Sequence, residues 1–123
     1  LSRGLGDVYK RQQEDAIILN EKWPGPTTFI LERSSDKYKE LSYLNSHAVR
    51  VSAHKPLQNL LNFFGSEIVS TSANISGEKE IKNKDDIVNF FNSEDVAIFD
   101  EKLGYLKKPT KIFDLKLKEY IRK

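Results

Sequence analysis

The stretch Trp23-Pro24-Gly25-Pro26 constrains this chain more than any other. Two prolines around a glycine forbid helix continuation, and Thr27–Leu31, directly after them, has the β-branched and aromatic content of a strand. The pattern from Glu14 to Lys22 suits a short helix. The chain must therefore pass from helix to strand at one rigid corner, whose tryptophan is suited to pin it to a core.

The same alternation continues downstream. Ser34–Asn45 reads as a polar loop with a helical turn, and Ala48–Val51 as a short strand. Pro56–Phe64 is expected to be a helix, with proline in its first turn, Leu57, Leu60, Leu61 and Phe64 on one face, and Gly65 at its end. Glu67–Thr71 is expected as a strand leading into Ser70–Gly77. Asn83 suits the cap of a helix whose Ile87, Phe90 and Phe91 face the core. Val96–Phe99, Lys111–Leu115 and Lys118–Ile121 are expected as closing strands. The expected class is α/β, a twisted mixed sheet with flanking helices.

At 123 residues the chain has the size of one domain. It has no apolar run long enough for a membrane helix, so a soluble chain is expected. The absence of cysteine excludes disulfides, thiolate catalysis and cysteine-ligated zinc, which leaves the cytoplasm as the default location. The net charge of +2 comes entirely from Leu1–Gln12, where Arg3, Lys10 and Arg11 face Asp7. That segment shows neither helical nor strand period and no signal-peptide core. It resembles a translated adaptor remnant, so residues 1–12 are expected to be a non-native leader and residues 13–123 a partial domain. The neutral remainder is polarised, with a basic strip at Lys107, Lys108, Lys111, Lys116, Lys118, Arg122 and Lys123.

Four features could carry chemistry. Ser70-Thr71-Ser72-Ala73-Asn74-Ile75-Ser76-Gly77 offers hydroxyls, an amide and a thinly covered backbone, which suit phosphate oxygens, ribose or a base. By composition alone the same run more often makes a turn, with Gly77 at positive φ. Arg50 interrupts an apolar strand, so its guanidinium either meets a carboxylate or phosphate or lies on a solvated face. His54 and His47 lack metal-ligand spacing, and no structural metal is expected. The basic strip suits nucleic acid or a plain solvated edge.

Taken in order, these motifs resemble those of the YrdC-like family that makes threonylcarbamoyl-AMP. The elements are Trp-Pro-Gly-Pro-x-Thr at Trp23–Thr28, Ala-Val-Arg-Val at Ala48–Val51 followed by His54, Ser-Thr-Ser-Ala-Asn-x-Ser-Gly at Ser70–Gly77, and Pro109-Thr110 before Ile112–Asp114. The resemblance implies a nucleotidyltransferase, acting on L-threonine, bicarbonate and ATP with Mg2+, on the route to the t6A base of tRNA. It places Arg50 and Thr110 on threonine, and Thr28, Ser70, Ser72, Ala73, Asn74 and Arg122 around the nucleotide. No covalent protein nucleophile is implied. Thr110-Lys111 replaces the family's usual Ser-Thr pair, and residues 1–22 hold no counterpart of its threonine-tyrosine segment or its Lys-x-Arg motif. The chain is therefore expected to be truncated at its amino end and not to turn over. Two other functions fit the same motifs. One is the similar domain of a carbamoyl-transferring enzyme of hydrogenase maturation, and the other is a non-catalytic module binding double-stranded RNA.

Overall fold

A computed structural model describes the backbone of residues 2–33, 35–104 and 108–123, and side chains from Lys10 onward within those ranges. Ser34 and Lys107, named above, lie outside the described residues. The chain divides into two compact units, one of residues 1–58 with 104–123 and one of residues 59–103.

The first unit opens with helix α1, Ser2–Lys22. Its start lies well before Glu14, where amphipathic patterning places it. Patterning reports the turns that pack, whereas extending an existing helix costs little per residue and needs no apolar face. Asp15, Ile18 and Leu19 are half-buried on one face at helical spacing, while Ile17 is exposed. The helix ends as expected. Trp23 N–H donates to Leu19 O at 2.8 Å, and the following Trp23–Pro24 peptide is cis.

Past this corner, strand β1 (Thr27–Glu32) is one of the two interior strands of a four-stranded mixed sheet. Antiparallel β2 (Ser46–Val49) lies on one side of it and parallel β3 (Lys111–Asp114) on the other, with antiparallel β4 (Glu119–Arg122) beyond β3. Between β1 and β2 the chain makes the expected helical turn at Lys39–Leu41. The ladder pairs Phe29 with Phe113 and Phe113 with Tyr120, which aligns aromatic rings across one face. Trp23 and Phe29 meet edge-on at 5.2 Å between centroids, Phe29 and Phe113 at 5.7 Å, and Phe113 and Tyr120 at 5.0 Å. Phe29, in the middle of this row, is 1% exposed and is the largest fully buried side chain described. Edge-to-face contacts of this kind add about 0.5–1.5 kcal/mol each to the burial itself.

Strand β2 sits two residues earlier than the expected Ala48–Val51. Its ladder with β1 ends at the pair Phe29 and Val49, and the Val51 carbonyl turns instead to the Gly25 amide at 2.7 Å. The corner has captured the end of the strand. The β3–β4 connection closes on Asp114, whose carboxylate accepts the Lys116 and Leu117 amides at 2.9 and 3.0 Å. Lys118, at φ 58° in this turn, is paired with Asp15 of α1, and Lys116 reaches Glu32 at 3.1 Å.

Helix α2, Lys55–Phe64, begins in the first unit and ends at Gly65, φ 87°, as the sequence predicts. Leu57, Leu60 and Leu61 are half-buried, but Phe64 is exposed. In the second unit Asn83 caps α3 (Lys84–Phe90), accepting the Asp86 amide at 2.8 Å. Ile87 and Phe91 are half-buried on α3 and its cap, whereas Phe90 is exposed and meets Phe91 edge-on. A 2.7 Å hydrogen bond to Asp100, and then the charge of that carboxylate, hold the Lys84 ammonium above its ordinary pKa. The strands expected at Glu67–Thr71 and Val96–Phe99 are absent. β-branched and aromatic residues favour a pleated surface but cannot make a strand without a neighbour, and among the described residues neither segment has a ladder partner.

Gly25 is the position where the corner tolerates least change. A Cβ there would lie 2.4 Å from the Lys22 carbonyl oxygen, so the backbone would have to shift. Gly25→Ala is expected to cost about 1–3 kcal/mol in urea unfolding. Gly65→Ala, where a Cβ meets nothing but φ is +87°, is expected to cost only about 1 kcal/mol.

Candidate functional site

Three of the residues singled out in the sequence converge in the first unit. Thr28 is the second residue of β1 and pairs with Ile112 of β3, which in turn pairs with Arg122 of β4. Thr110 immediately precedes β3 and is buried. The two threonine hydroxyls are 2.9 Å apart. Arg122 closes the group by donating from Nε to the Thr110 carbonyl at 2.8 Å and from Nη2 to the Thr110 hydroxyl at 3.4 Å.

The donor balance of this cluster fixes its chemistry. Two hydroxyls bring two protons, and their mutual bond uses one. The other is available to a ligand. A guanidinium has no acceptor, and the donors on Arg122 Nη1 are not spent on Thr110. The cluster is therefore rich in donors and suits an anionic oxygen, carboxylate or phosphate. Arg122, which the resemblance places near the nucleotide, also braces Thr110.

Arg50 follows Val49, the last paired residue of β2, and continued register would set it opposite Thr28. It is exposed and makes no hydrogen bond or ion pair with a described residue. The segment behind it is tied down nonetheless. Gly25 N–H holds the Val51 carbonyl, Gln58 Nε2 donates to the Ser52 carbonyl at 2.8 Å, and His54 N–H donates to Ser52 Oγ at 3.0 Å. Ser52 and Gln58 were not evident as site residues. A serine two places before a histidine hints at a local side-chain turn, but a glutamine reaching six residues back leaves no mark in a sequence pattern. Lys111, next to Thr110, points elsewhere, with its ammonium 5.9 Å from the Tyr120 ring centroid.

Ser70, Ser72, Ala73 and Asn74 belong to the second unit, in a loop that folds on itself. Asn74 Nδ2 donates to the Ile75 carbonyl at 2.8 Å and to the Glu78 carbonyl at 3.1 Å, and the Ile81 amide donates to the Ala73 carbonyl at 2.8 Å. Gly77, at φ 84°, supplies the expected left-handed residue. Ser70 and Ser72 are exposed, whereas Asn74 Oδ1 is buried with no partner among the described residues. Both amide protons are thus spent on the loop, and what Asn74 retains is an acceptor. The run is a turn, and it still presents hydroxyls.

Of the basic strip, Lys116 and Lys118 are ion-paired with Glu32 and Asp15, and Arg122 is held by Thr110. Among the described residues no group of three histidine or acidic side chains is placed to hold a metal, and no helix is long and apolar enough to cross a membrane.

The profile of the Sua5/YciO/YrdC family, described as telomere recombination, matches residues 4–123. Proteins named threonylcarbamoyl-AMP synthase are similar to this chain in several bacteria. That of Buchnera aphidicola is 38% identical over 110 residues, covering 89% of this chain and 61% of its own length. That of Aliivibrio fischeri is 32% identical, covering 94% of this chain and 63% of its own length, and that of Serratia proteamaculans is 33% identical, covering 96% and 62%. The chain thus spans about three-fifths of the curated relatives it matches.

The hydroxyl cluster makes its own prediction. Thr110→Val keeps the shape but leaves the Thr28 hydroxyl and the Arg122 Nη2 donor without this partner, a loss of about 1–3 kcal/mol. Urea unfolding of that variant beside Thr71→Val, which lies in the exposed run, should show the difference.

Proposed function

Since this chain belongs to the Sua5/YciO/YrdC family, we propose that it carries part of the substrate site of a threonylcarbamoyl-AMP synthase. In that reaction the amine of L-threonine and bicarbonate give a carbamate and water. A carbamate oxygen then attacks the α-phosphorus of ATP, forming threonylcarbamoyl-AMP and releasing pyrophosphate. The chemistry needs two anions brought together in line and their charge neutralised, with no covalent attachment to the protein.

The observation that carries this reading is the contact of Thr28, Thr110 and Arg122 beside the strand end that presents Arg50. Arg50 meets the threonine carboxylate as a fork and Thr110 contributes a hydroxyl to the same substrate. Thr28 and the outer edge of Arg122 face the phosphate side. Ser70, Ser72 and the backbone at Ala73 donate to the adenylate. Asn74, its amide protons committed, accepts from a ribose hydroxyl or the adenine amino group through Oδ1. ATP arrives as its magnesium complex, the ion held mainly by phosphates and water. The product would serve tRNA modification in the cytoplasm, where proteins acting later in t6A synthesis take it up.

A module that binds double-stranded RNA is the weaker reading, because Lys116, Lys118 and Arg122 of the basic strip are engaged within their own unit. The two readings separate on one variant. Arg50→Ala is expected to weaken L-threonine binding at least about tenfold in a calorimetric or NMR titration, which is about 1.4 kcal/mol. It should leave the affinity for ATP unchanged. Salt-sensitive RNA binding that survives Arg50→Ala, in a chain that binds no ATP, would decide for the RNA module.

A further inference from the structure

We infer that Gln58 is a positioning residue for Arg50, holding the backbone from which that guanidinium reaches its anionic substrate. The inference rests on the assignment of Arg50 to the threonine carboxylate, and it concerns how an arginine with no hydrogen bond or ion pair to a described residue is kept in place.

The difficulty begins where β2 ends. Residues 50–54 have neither helix nor strand, and Arg50 makes no bond to a described residue that would orient its long side chain. An unanchored arginine gives up considerable rotamer and backbone entropy when it captures a ligand. Three hydrogen bonds reduce that loss by fixing the segment instead of the side chain. The Gly25 amide holds the Val51 carbonyl from the side of the corner. Gln58 Nε2, in the first turns of α2, holds the Ser52 carbonyl from the other side. The Ser52 hydroxyl accepts the His54 amide and turns the chain into the helix.

Of these three, only the Gln58 bond comes from a side chain reaching back across the segment. Its backbone N–H is already part of α2, bonded to the His54 carbonyl at 3.0 Å, so the helix does not need the amide group. The side chain is half-buried on a helix whose neighbouring inner positions, Leu57 and Leu61, are apolar. A glutamine there costs desolvation that a leucine would not, and its return is the fixed Ser52 carbonyl.

Gln58→Met keeps length and apolar contact and removes the donor. In titrations of the full chain it is expected to weaken L-threonine binding about fivefold, the equivalent of one ordinary hydrogen bond. Binding of L-threoninol, which lacks the carboxylate, and of ATP should be unaltered, and the melting temperature should fall by no more than a few degrees. Without ligand, the nitrogen relaxation order parameters of the Val51 and Ala53 amides should drop while those of Phe29 and Ile30 hold. If Arg50→Ala weakens threonine binding and Gln58→Met does not, the inference is overturned and the site assignment stands. Equal loss of threonine and threoninol binding, or unchanged order at Val51 and Ala53, also overturns it by reducing Gln58 to a structural role or to none. No threonine binding by the unaltered chain, or none lost in Arg50→Ala, removes the assignment and the inference with it.

Discussion

Phe29 is the side chain on which the first unit depends. It lies at the meeting of Trp23, which ends the first helix, and Phe113, which belongs to a strand more than eighty residues later. Its ring fixes two things at once. It sets the register between β1 and β3, because a shift of one residue would turn Phe29 and Phe113 to opposite faces. By alternation it also sends Thr28 to the other face, beside Thr110 and Arg122. The aromatic row and the hydroxyl cluster are therefore two sides of one register, and the site inherits its precision from the core.

The corner at Trp23–Pro26 extends this logic to Arg50. The indole N–H donates to the Thr27 carbonyl at 2.9 Å, which ties the tryptophan to the strand it introduces. Gly25 then takes the Val51 carbonyl out of the β2 ladder. That diversion is why Arg50 leaves the sheet one residue after Val49 instead of continuing inside a strand. A longer β2 would have committed the arginine's backbone to the ladder; the corner turns it into a presented group.

These elements were legible in the sequence to different degrees, for physical reasons. The corner, β1, α2 with Gly65 and the Asn83 cap rest on local chemistry: proline, positive φ and side-chain capping act within a few residues. α1 extended beyond its amphipathic part because propagation is cheap. Glu67–Thr71 and Val96–Phe99 have the composition of strands but form none, because pairing is a property of two segments and no single segment encodes it. In the site, residue types pointed to Thr28, Arg50, Thr110 and Arg122 through a family resemblance. The bracing of Thr110 by Arg122 follows from the register of β3 and β4, which no local pattern encodes.

At Thr110-Lys111 the chain carries one hydroxyl where the resemblance implies two. A hydroxyl is kept where the cluster needs one, since Thr110 bonds both Thr28 and Arg122. The next residue lies on a strand, so its side chain goes to the opposite face, and Lys111 is found over Tyr120 at the end of the aromatic row. A hydroxyl at that position would be aimed at the rings and away from the cluster, whereas a lysine stem can cover them while its ammonium stays in water. Lys111 thus falls on the core side of the register that Phe29 sets. The face that carries the hydroxyl cluster keeps its donors.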